Sequence, residues 1–383
     1  MMWERVAISE VSNVVTGSTP KTNREDFFGG DIPFVTPAEL EQANPIVSTP
    51  RTLSTTGAQQ VRIVPPNAIL VCCIGSLGKV GIAGRTLATN QQINAVVFDE
   101  RKVWPRFGYY ACRLLKQTLE NMAPATTVAI VSKSKFQALE IPLPPLDEQK
   151  RIAAILDQAD ELRRKRQRAI DRLNQLGQAI FHDMFGGING ADAAWTVKPL
   201  EDLCDLVRGS SPRPQGDPRY FGGPVPRLMI ADITRDGMNV TPRIDSLTEE
   251  GARKSRPMPS GSVVMAVSGA VGLPAILTVD ACIHDGFVGF RNLNQSVLPQ
   301  FFYWFLRVNR EQNKSQGTGA IWVNLTTDQV KRFEIPIPPL STQERFMDRM
   351  KEIATQGDMQ SFSLQKTDGL FFSLQQRAFQ GEL

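Results

Sequence analysis

The sequence predicts a mixed α/β (α+β) protein built from two tandem, similar domains, each followed by one long helix. The first observation is a repeat: IPLPPL at residues 141–146 recurs as IPIPPL at residues 335–340, an offset of 194 residues. The second is that each half contains apolar, β-branched runs bounded by glycines, which is typical of strands. The third is that an apolar heptad pattern follows each Pro-Pro pair. The predicted ranges are a first domain (1–146), a first helix with its linker (147–190), a second domain (191–340) and a second helix (341–383).

The repeat extends through both domains and is not limited to their ends. Small and turn-forming residues recur at offsets of 192 to 194. In the first half they include Gly17, Ser18, Pro20, Gly29, Gly30, Gly75 and Gly78, which recur as Gly209, Ser210, Pro212, Gly222, Gly223, Gly269 and Gly272. Solenoid repeats span about 20 to 50 residues, so this longer unit is a duplicated domain. A duplicated domain suggests a duplicated target.

Within each domain the pattern predicts short helices and strands. Each half opens with a helix-like segment, at 8–15 and 200–207. A loop rich in Gly, Pro, Arg and Lys follows, TGSTPKTNREDFFGG in the first half and RGSSPRPQGDPRYFGG in the second. Apolar runs predict strands at 68–71 and 262–267, and amphipathic patterns predict helices at 109–115 and 301–306.

The first long helix is predicted to begin with Asp147 as its N-cap and to end at Gly186-Gly187. It would span about 60 Å at 1.5 Å per residue. Its apolar positions step by three and four, which is a heptad seam. The predicted seam is Ile152, Ile155, Ala159, Leu162, Ala169, Leu173, Leu176 and Ile180.

The second long helix is predicted to begin with a capping box at 341–344, of sequence STQE. Its seam is more polar, and Gly357 and Gly369 are both costly inside a helix. The predicted seam is Phe346, Met350, Ile353, Gly357, Gln360, Leu364, Thr367, Phe371, Leu374 and Ala378. A heptad helix cannot bury its stripe alone, so we expect the two helices to pair as an antiparallel coiled coil. The alternative is that each helix packs on its own domain.

Composition narrows the class of protein. The 383 residues are 42% hydrophobic, carry a net charge of +4 and contain five cysteines and two histidines. There is no apolar run of the roughly 18 residues that a membrane helix needs, so no membrane is expected as a partner. MMWER at the start is not followed by an apolar stretch, so no signal peptide is expected, and reduced thiols in a cytoplasmic protein fit this pattern.

Motifs for catalysis are missing from the sequence. There is no [DN]PP[YF] loop for methylation of an amine, no HExxH, no nucleophile elbow and no nuclease-like acid cluster. The GSLGK string at 75–79 lacks the spacing of a Walker loop, and its second copy at 269–273 has no lysine. We therefore expect no catalytic, cofactor-binding or metal-binding residues in this chain, and a role in binding or scaffolding.

Basic and amide side chains in the long loops are the candidates for contact with double-stranded DNA. Arg pairs with guanine and Asn or Gln with adenine in the major groove, while other Lys and Arg side chains hold phosphates. Taken singly, each is better explained as a solvated surface residue. Their collective placement in the long loops of both halves brings DNA binding level with that explanation. The candidates are Ser18, Lys21, Asn23, Arg24, Arg62, Lys79, Asn90, Gln91, Lys133, Ser210, Arg213, Arg219, Arg227, Arg253, Lys254, Arg256, His284, Asp285 and Asn324. The basic run 163–168 lies on the first long helix, where a solvated or partner-facing helix surface is favoured over a DNA reader.

The order of the segments along the chain resembles that of a known family. The order of a domain, IPLPPLDEQKRIAAILD, a helix ending LGQAIFHDMFG, a second domain, IPIPPLSTQER and a helix ending SLQQRAFQGEL is similar to the specificity subunit of type I restriction–modification enzymes. The resemblance covers the whole chain. Its specific part is the segment after each domain, since the domains themselves vary between members.

The resemblance implies two target recognition domains that each read half of a split DNA site, and a coiled coil that spaces them. It implies two modification (methyltransferase) subunits docked on this chain and restriction (translocase) subunits docked on those. S-adenosylmethionine, ATP and Mg would then serve the partner subunits. Which loop residues touch bases does not transfer from the family.

Two other functions stay open at this point. One is an autonomous, pseudo-dimeric DNA-binding regulator; the other is a single-chain methyltransferase or nuclease, which would need a motif that the sequence lacks. The two halves differ in their loops: Lys79 corresponds to Leu273, and Asn90-Gln91 to His284-Asp285. The sequence therefore predicts an asymmetric bipartite target and not a palindrome.

Overall fold

The computed structural model describes residues 3–42, 44–123, 128–186, 195–310 and 324–383. It divides into two compact units: residues 1–168 with 360–383, and residues 169–359. The long helices are Leu146–Phe185 and Leu340–Gln380, so each helix belongs to one unit at its start and to the other at its end. The units are therefore not linear segments, and the four predicted ranges stay a prediction about modules of the sequence.

The described residues of the first unit form three small sheets. Its strands are β1 (Arg5–Ala7), β2 (Ser12–Thr16), β3 (Phe28–Val35), β4 (Thr52–Leu53), β5 (Ile63–Val64), β6 (Ile69–Cys72), β7 (Val80–Ile82), β8 (Leu87–Thr89), β9 (Ile93–Phe98) and β10 (Glu140–Pro142). One sheet has the order β2-β9-β6-β7 and is antiparallel; a second has the order β4-β3-β8-β5, with β3 and β8 parallel. β1 pairs with β10. The described helices besides the long ones are Ile8–Val11, Thr55–Ala58, Pro105–Leu114, Lys116–Met122 and Lys133–Gln137, with a 3-10 turn at Glu25–Phe27.

The second unit repeats this plan. Its strands are β11 (Thr196–Pro199), β12 (Asp205–Arg208), β13 (Phe221–Leu228), β14 (Asn239–Val240), β15 (Asp245–Leu247), β16 (Arg256–Met258), β17 (Val263–Ala266), β18 (Pro274–Leu277), β19 (Ala281–Ile283), β20 (Phe287–Arg291) and β21 (Glu334–Ile337). The sheets have the orders β12-β20-β17-β18-β14, β15-β13-β19-β16 and β11-β21. The shorter described helices are Ile230–Asp236, Glu249–Lys254, Pro299–Val308 and Thr327–Lys331, with a 3-10 turn at Leu200–Asp202.

The repeat in the sequence is thus a repeat of topology. The added strand β14 pairs in parallel with β18, and the first unit has only an isolated parallel bridge, Ile46 to Ala83, at the same place. The strands predicted at 68–71 and 262–267 and the helices predicted at 109–115 and 301–306 are confirmed as β6, β17, Pro105–Leu114 and Pro299–Val308. A proline at the first turn suits the start of each of these two helices.

The helix-like segments predicted at 8–15 and 200–207 are wrong in their second half. The chain makes one turn at Ile8–Val11 and another at Leu200–Asp202, and then continues as β2 and β12. The cause is tertiary: β2 pairs along the whole of its length with β9, where Val14 lies opposite Val96. Apolar runs this short do not distinguish a helix from a strand.

A buried glutamine fixes the start of each long helix. Gln149 donates to the carbonyls of Lys102 (2.9 Å) and Pro144 (2.8 Å) and accepts from the backbone N–H of Trp104 (2.8 Å). Its counterpart Gln343 makes the same three bonds, to Ser296, Pro338 and Leu298. The helices begin at Leu146 and Leu340, so Asp147 and Ser341 lie inside the first turn. The N-cap positions are Pro145 and Pro339, and the predicted caps are wrong by two residues.

In the first unit the two helices run antiparallel. Arg151 reaches the carbonyl of Leu383, Arg163 pairs with Asp368 at 2.5 Å, and Arg166 reaches Gln360. Arg163 also lies 4.8 Å above the ring of Phe371.

The predicted seam of the first helix is shifted in this stretch. Asp160 is only 3% exposed and pairs with Arg163 and Arg164, whereas Leu162 is 42% exposed. Charged pairs therefore occupy the seam here. The basic run faces Asp160 and the second helix, so its first residues have protein partners.

In the second unit the seam is aromatic. Phe181 and Phe185 pack against Phe301 and Phe346, with ring centroids 4.9 to 5.9 Å apart. Leu176 is 46% exposed, so it does not belong to the seam. Every predicted seam position of the second helix, from Phe346 to Ala378, is buried or half-buried, and the pairing of the two helices is confirmed.

The far ends of the helices also repeat. Phe181 stacks on Phe301, and Phe379 stacks on Phe107, which is the counterpart of Phe301 at an offset of 194. From Gln149 to Phe181 the first helix advances 32 residues, and from Gln343 to Phe379 the second advances 36. The stretch between these equivalent residues is thus four residues longer in the second helix, about one turn or 6 Å, although the two helices span 40 and 41 residues in all.

Candidate nucleic-acid interface

The first loop cluster comprises Ser18, Thr19, Arg62, Asn90, Gln91 and Gln92. The loop after β2 passes the turn between β8 and β9, where the N–H groups of Gly17 and Ser18 donate to the carbonyls of Ile93 and Thr89, both at 2.9 Å. A side chain at Gly17 would collide with this turn, since an added Cβ would lie 2.1 Å from the Asn90 carbonyl oxygen. The glycine is therefore required for the close approach of two backbone segments.

Side chains complete the first loop cluster. Thr19 donates its hydroxyl to the amide oxygen of Gln91 at 2.6 Å. The amide oxygen of Asn90 accepts from the backbone N–H of Gln92 at 3.1 Å. Arg62 donates to the carbonyl of Thr16 at 2.7 Å and its own N–H donates to the hydroxyl of Ser18. The result is an ordered polar loop with Gln91 exposed at its tip.

The second loop cluster comprises Arg208, Ser210, Ser211, Arg213, Arg256, His284 and Asp285. Its bonds are counterparts of those above. Ser211 donates to the carboxylate of Asp285 at 2.6 Å, Nδ1 of His284 accepts from the N–H of Gly286 at 2.9 Å, and Arg256 donates to the carbonyl of Arg208 at 3.2 Å. The backbone bond from Ser210 to Ile283 repeats the bond from Ser18 to Thr89.

The second loop cluster carries more charge than the first. Arg208 donates to the carbonyl of Asp285 at 2.8 Å, and Arg213 lies 3.8 Å from its carboxylate. The hydrogen bond from Ser211 lowers the pKa of Asp285, so this exposed group is ionised at neutral pH. Burial, and then the positive charge of Arg227, lower the pKa of His284, which favours the neutral imidazole.

An ion pair beside each cluster is reversed between the halves. Arg24 pairs with Asp26 at 2.8 Å, and at the same two positions of the second half Asp217 pairs with Arg219 at 2.7 Å. Lys254 adds a further cation: its ammonium lies 2.5 Å from the hydroxyl of Tyr220 and 4.0 Å from the ring centroid. Arg219 and Lys254 therefore both lie against the ring of Tyr220.

Arg227 differs from the other predicted contacts because its side chain is only 6% exposed. It forms an ion pair with Asp245 and donates to the hydroxyl of Ser211 at 2.9 Å. Through these two contacts the buried Arg227 side chain supports the second loop cluster from the protein interior.

The remaining candidates lie outside the two clusters as defined. Lys79 is 3.7 Å from the carboxylate of Glu41. Lys133 opens the short helix capped by Ser132, and Arg253 lies on the helix Glu249–Lys254. Lys21, Asn23 and Asn324 are exposed loop residues. That any of these touches DNA stays a prediction.

Four residues of the clusters are not among the predicted contacts: Thr19, Gln92, Arg208 and Ser211. The signal was present, because TGSTPK and RGSSPR align at an offset of 192 and place a hydroxyl residue at the same position in both halves. Their importance depends on partners about 70 residues away, which no local pattern gives.

Among the residues that the structure describes, no group of three or more His, Cys, Asp or Glu side chains could hold a metal ion. None of the described helices is long and apolar enough to cross a membrane. The five cysteines are free and buried, and burial raises the pKa of Cys73 and of Cys112 to about 12.

Comparison with known proteins identifies the family. The model of the type I restriction modification DNA specificity domain matches twice, at residues 2–172 and 193–360. The chain belongs to this family. The two matches follow the internal repeat, so each half of this specificity protein carries one copy of the domain.

Curated relatives of this specificity protein include two from Methanocaldococcus jannaschii. The MjaIX specificity subunit of a type I restriction enzyme is 24% identical over 61% of this chain, and the MjaVIII specificity subunit is 24% identical over 92%. The HindI specificity subunit from Haemophilus influenzae is 30% identical over 37% of the chain. The chain spans 58% of the length of the MjaIX subunit, 86% of the MjaVIII subunit and 32% of the HindI subunit.

Solved structures share the fold of this specificity protein. A chain from a structure that describes complex assembly and conformational transition of the type I R-M system aligns over 100% of this chain and 98% of its own length, with a TM-score of 0.62 and 18% identity. The S subunit of a type I restriction-modification system from M. genitalium aligns over 99% of this chain and 96% of its own length, with a TM-score of 0.52 and 16% identity.

Proposed function

We propose that this chain is the sequence-specific DNA-binding subunit of a type I restriction–modification complex and that it reads an asymmetric bipartite site in double-stranded DNA. The observation that carries this proposal is the pair of loop clusters. Each is an ordered loop rich in hydrogen-bonding groups, which is what base readout needs. The clusters share their framework and differ in their exposed groups, so two different half-sites are expected.

The chain itself would perform no chemistry. Two modification subunits would dock on it and methylate adenine with S-adenosylmethionine, and restriction subunits using ATP and Mg would join through them. The family assignment supports this division of labour, as does the lack of catalytic motifs in the sequence. A cytoplasmic location follows from the same proposal, since the DNA target lies there.

Co-purification tests this proposal. Expressed with the modification subunit of its own type I system, the chain should come out as a complex that methylates DNA at one asymmetric, interrupted motif. Purified alone, it should transfer no methyl group and cut no DNA. Turnover by the chain alone would contradict the proposal. Methylation at a palindrome would contradict the expectation that the two domains read different half-sites. A chain that binds DNA but never retains a methyltransferase would instead favour an autonomous regulator.

The long helices provide a second test, because we propose that they set the number of unread base pairs between the half-sites. Four helical residues inserted between Leu162 and Leu173 add about 6 Å, and B-DNA rises about 3.4 Å per base pair. The spacer in the methylated motif should therefore grow by one to two base pairs, with both half-sites unchanged.

The matched variant of this experiment preserves the pairing of the helices. Arg166 lies beside Gln360, so a second insertion of four residues between Gly357 and Gln360 restores the register. An active complex with an unaltered spacer would show that the helices do not set the distance. Altered bases in a half-site would show that they do more than space.

A further inference from the structure

The tips of the two loop clusters occupy equivalent positions of the repeat. Gln91 corresponds to Asp285 at an offset of 194, and Thr19 corresponds to Ser211 at an offset of 192. In both halves the hydroxyl donates to an oxygen of the tip side chain at 2.6 Å. The two loops differ in most side chains, but both keep a hydrogen bond from a hydroxyl to one exposed polar side chain.

The rest of each cluster is used to fold the loop. Asn90 and His284 each accept a hydrogen bond from the backbone N–H two residues further on. Arg62 and Arg256 each donate to the carbonyl of the last residue of a strand, β2 in the first half and β12 in the second. These groups use their hydrogen bonds within the protein. The tip side chains differ because only one of their two polar atoms is held by the hydroxyl.

The remaining atoms of the two tips have opposite hydrogen-bonding character. With its oxygen held by Thr19, Gln91 presents an amide NH₂ group, which is a donor. With Oδ1 held by Ser211, Asp285 presents Oδ2 as an acceptor; the guanidinium of Arg213 lies 3.8 Å from Oδ2, which is too far for a hydrogen bond. An exposed carboxylate among arginines would be repelled by DNA phosphates, unless it accepts a hydrogen bond from a base amino group.

We infer that Gln91 and Asp285 are specificity-determining residues at matching positions of the two half-sites. The base groups that they recognise have opposite hydrogen-bonding character. Gln91 selects a base that presents an acceptor in the major groove, such as guanine or thymine. Asp285 selects a base that presents an amino group, cytosine or adenine. This inference rests on the proposed function and names the side chains that make the two half-sites different.

The test uses two reciprocal isosteric variants in the assembled methyltransferase complex. Asp285→Asn replaces the free acceptor by a donor, and Gln91→Glu replaces the free donor by an acceptor. Each complex is allowed to select from duplexes randomised at the half-site positions, and the preferred base is read by sequencing. Asp285→Asn should shift one position of one half-site from cytosine or adenine to guanine or thymine. Gln91→Glu should produce the converse shift in the other half-site, each by about fivefold or more in preference.

Asp280→Asn is the matched control, because Asp280 precedes β19 and Asp285 follows it, so the same charge is removed at the other end of the strand. It should leave the selected motif unchanged. Ser211→Ala keeps the carboxylate but removes the group that holds it; it should weaken the base preference without changing its order. Ser211→Ala also decides the matter for the second half should Asp285→Asn fail to fold.

The outcomes separate the two proposals. If both isosteric variants select the same bases as the unaltered complex, or only bind more weakly with the same order of bases, the tips serve the loop fold and the inference fails. If the unaltered complex selects no interrupted motif at all, the proposed function fails instead.

Discussion

Arg227 and Phe34 occupy equivalent positions in the two halves of the repeat, but their contacts differ: Phe34 packs against a cation and Arg227 forms an ion pair. In the first half Phe34 is buried, and Arg51 lies over its ring and that of Phe28, at 5.9 and 4.1 Å. In the second half the buried side chain is Arg227, and the partner across the strand pair is Asp245. The backbone pairing of β3 with β4 and of β13 with β15 is the same.

The comparison teaches where a duplicated domain can change. Hydrogen bonds between backbone groups, such as those from Ser18 and Ser210, recur because they close the loop whatever the side chains are. Side chains diverge as pairs, because replacing one partner alone would leave a buried group without its counterpart. Arg24–Asp26 and Asp217–Arg219 show the same paired change with the charges exchanged.

The largest difference between the halves is expected at the far ends of the long helices. Phe181→Ala should lower the free energy of unfolding by about 3–5 kcal/mol, because Phe181 is 1% exposed and contacts three other phenylalanines. Its counterpart Phe379 is only partly buried and stacks on Phe107 alone, so Phe379→Ala should cost about half as much. Urea unfolding of the full chain measures both. Phe372→Ala, at a residue 62% exposed, should change little, and equal costs for Phe181 and Phe379 would contradict the comparison.

The next difference concerns the exchanged pairs. Asp245→Ala leaves the guanidinium of Arg227 buried without its carboxylate, and should cost about 2–3 kcal/mol of stability. Arg51→Ala removes an exposed contact with aromatic rings and should cost less than about 1 kcal/mol. Thermal unfolding compares the two variants. If Arg51→Ala proves the more destabilising, the buried ion pair is not the stronger constraint on its half.

The smallest difference is a dependence on pH that only the second half should show. Burial and Arg227 lower the pKa of His284 below its usual value near 6.5, with Arg208 acting in the same direction and Asp285 and Asp245 opposing it. The folded state therefore binds fewer protons at His284 than the unfolded state. The contribution of neutral His284 to the stability of the folded state is present above pH 6.5 and is lost as the pH falls through the lowered pKa.

The variant His284→Asn carries the residue type of the first half and does not titrate. Melting temperatures measured from pH 8 to pH 5 should fall further for the unaltered chain than for this variant. Asp285 also has a lowered pKa, but its contribution is lost only in the more acidic range and in both proteins. Parallel melting curves would contradict the role assigned to His284.

Much of this architecture could be predicted from the sequence because it depends on local patterns. The Pro-Pro boundaries, the glycine-bounded strands and the two long helices all have short-range signals. The seam of the first helix was predicted out of place near Leu162, because counting apolar residues cannot show that Asp160 and Arg163 are buried as a pair. Within the candidate site, the exposed tips Gln91 and Asp285 could be proposed from their residue types. The hydroxyls that hold them could not, since those contacts join segments distant in the sequence.

One consequence of the helix arrangement concerns the order in which the protein is made. The core of the first unit includes Phe371 and Ala378, and the indole N–H of Trp3 donates to the carbonyl of Ala378 at 2.9 Å. The second unit ends at Met359. A ribosome adds about 5 to 20 residues per second, so the first unit waits roughly 10 to 40 s, from the emergence of Arg168 to that of Ala378, before it can close. The part of the chain that is synthesised first is the last to be completed, and until then its apolar surface for the second helix is exposed to the cell.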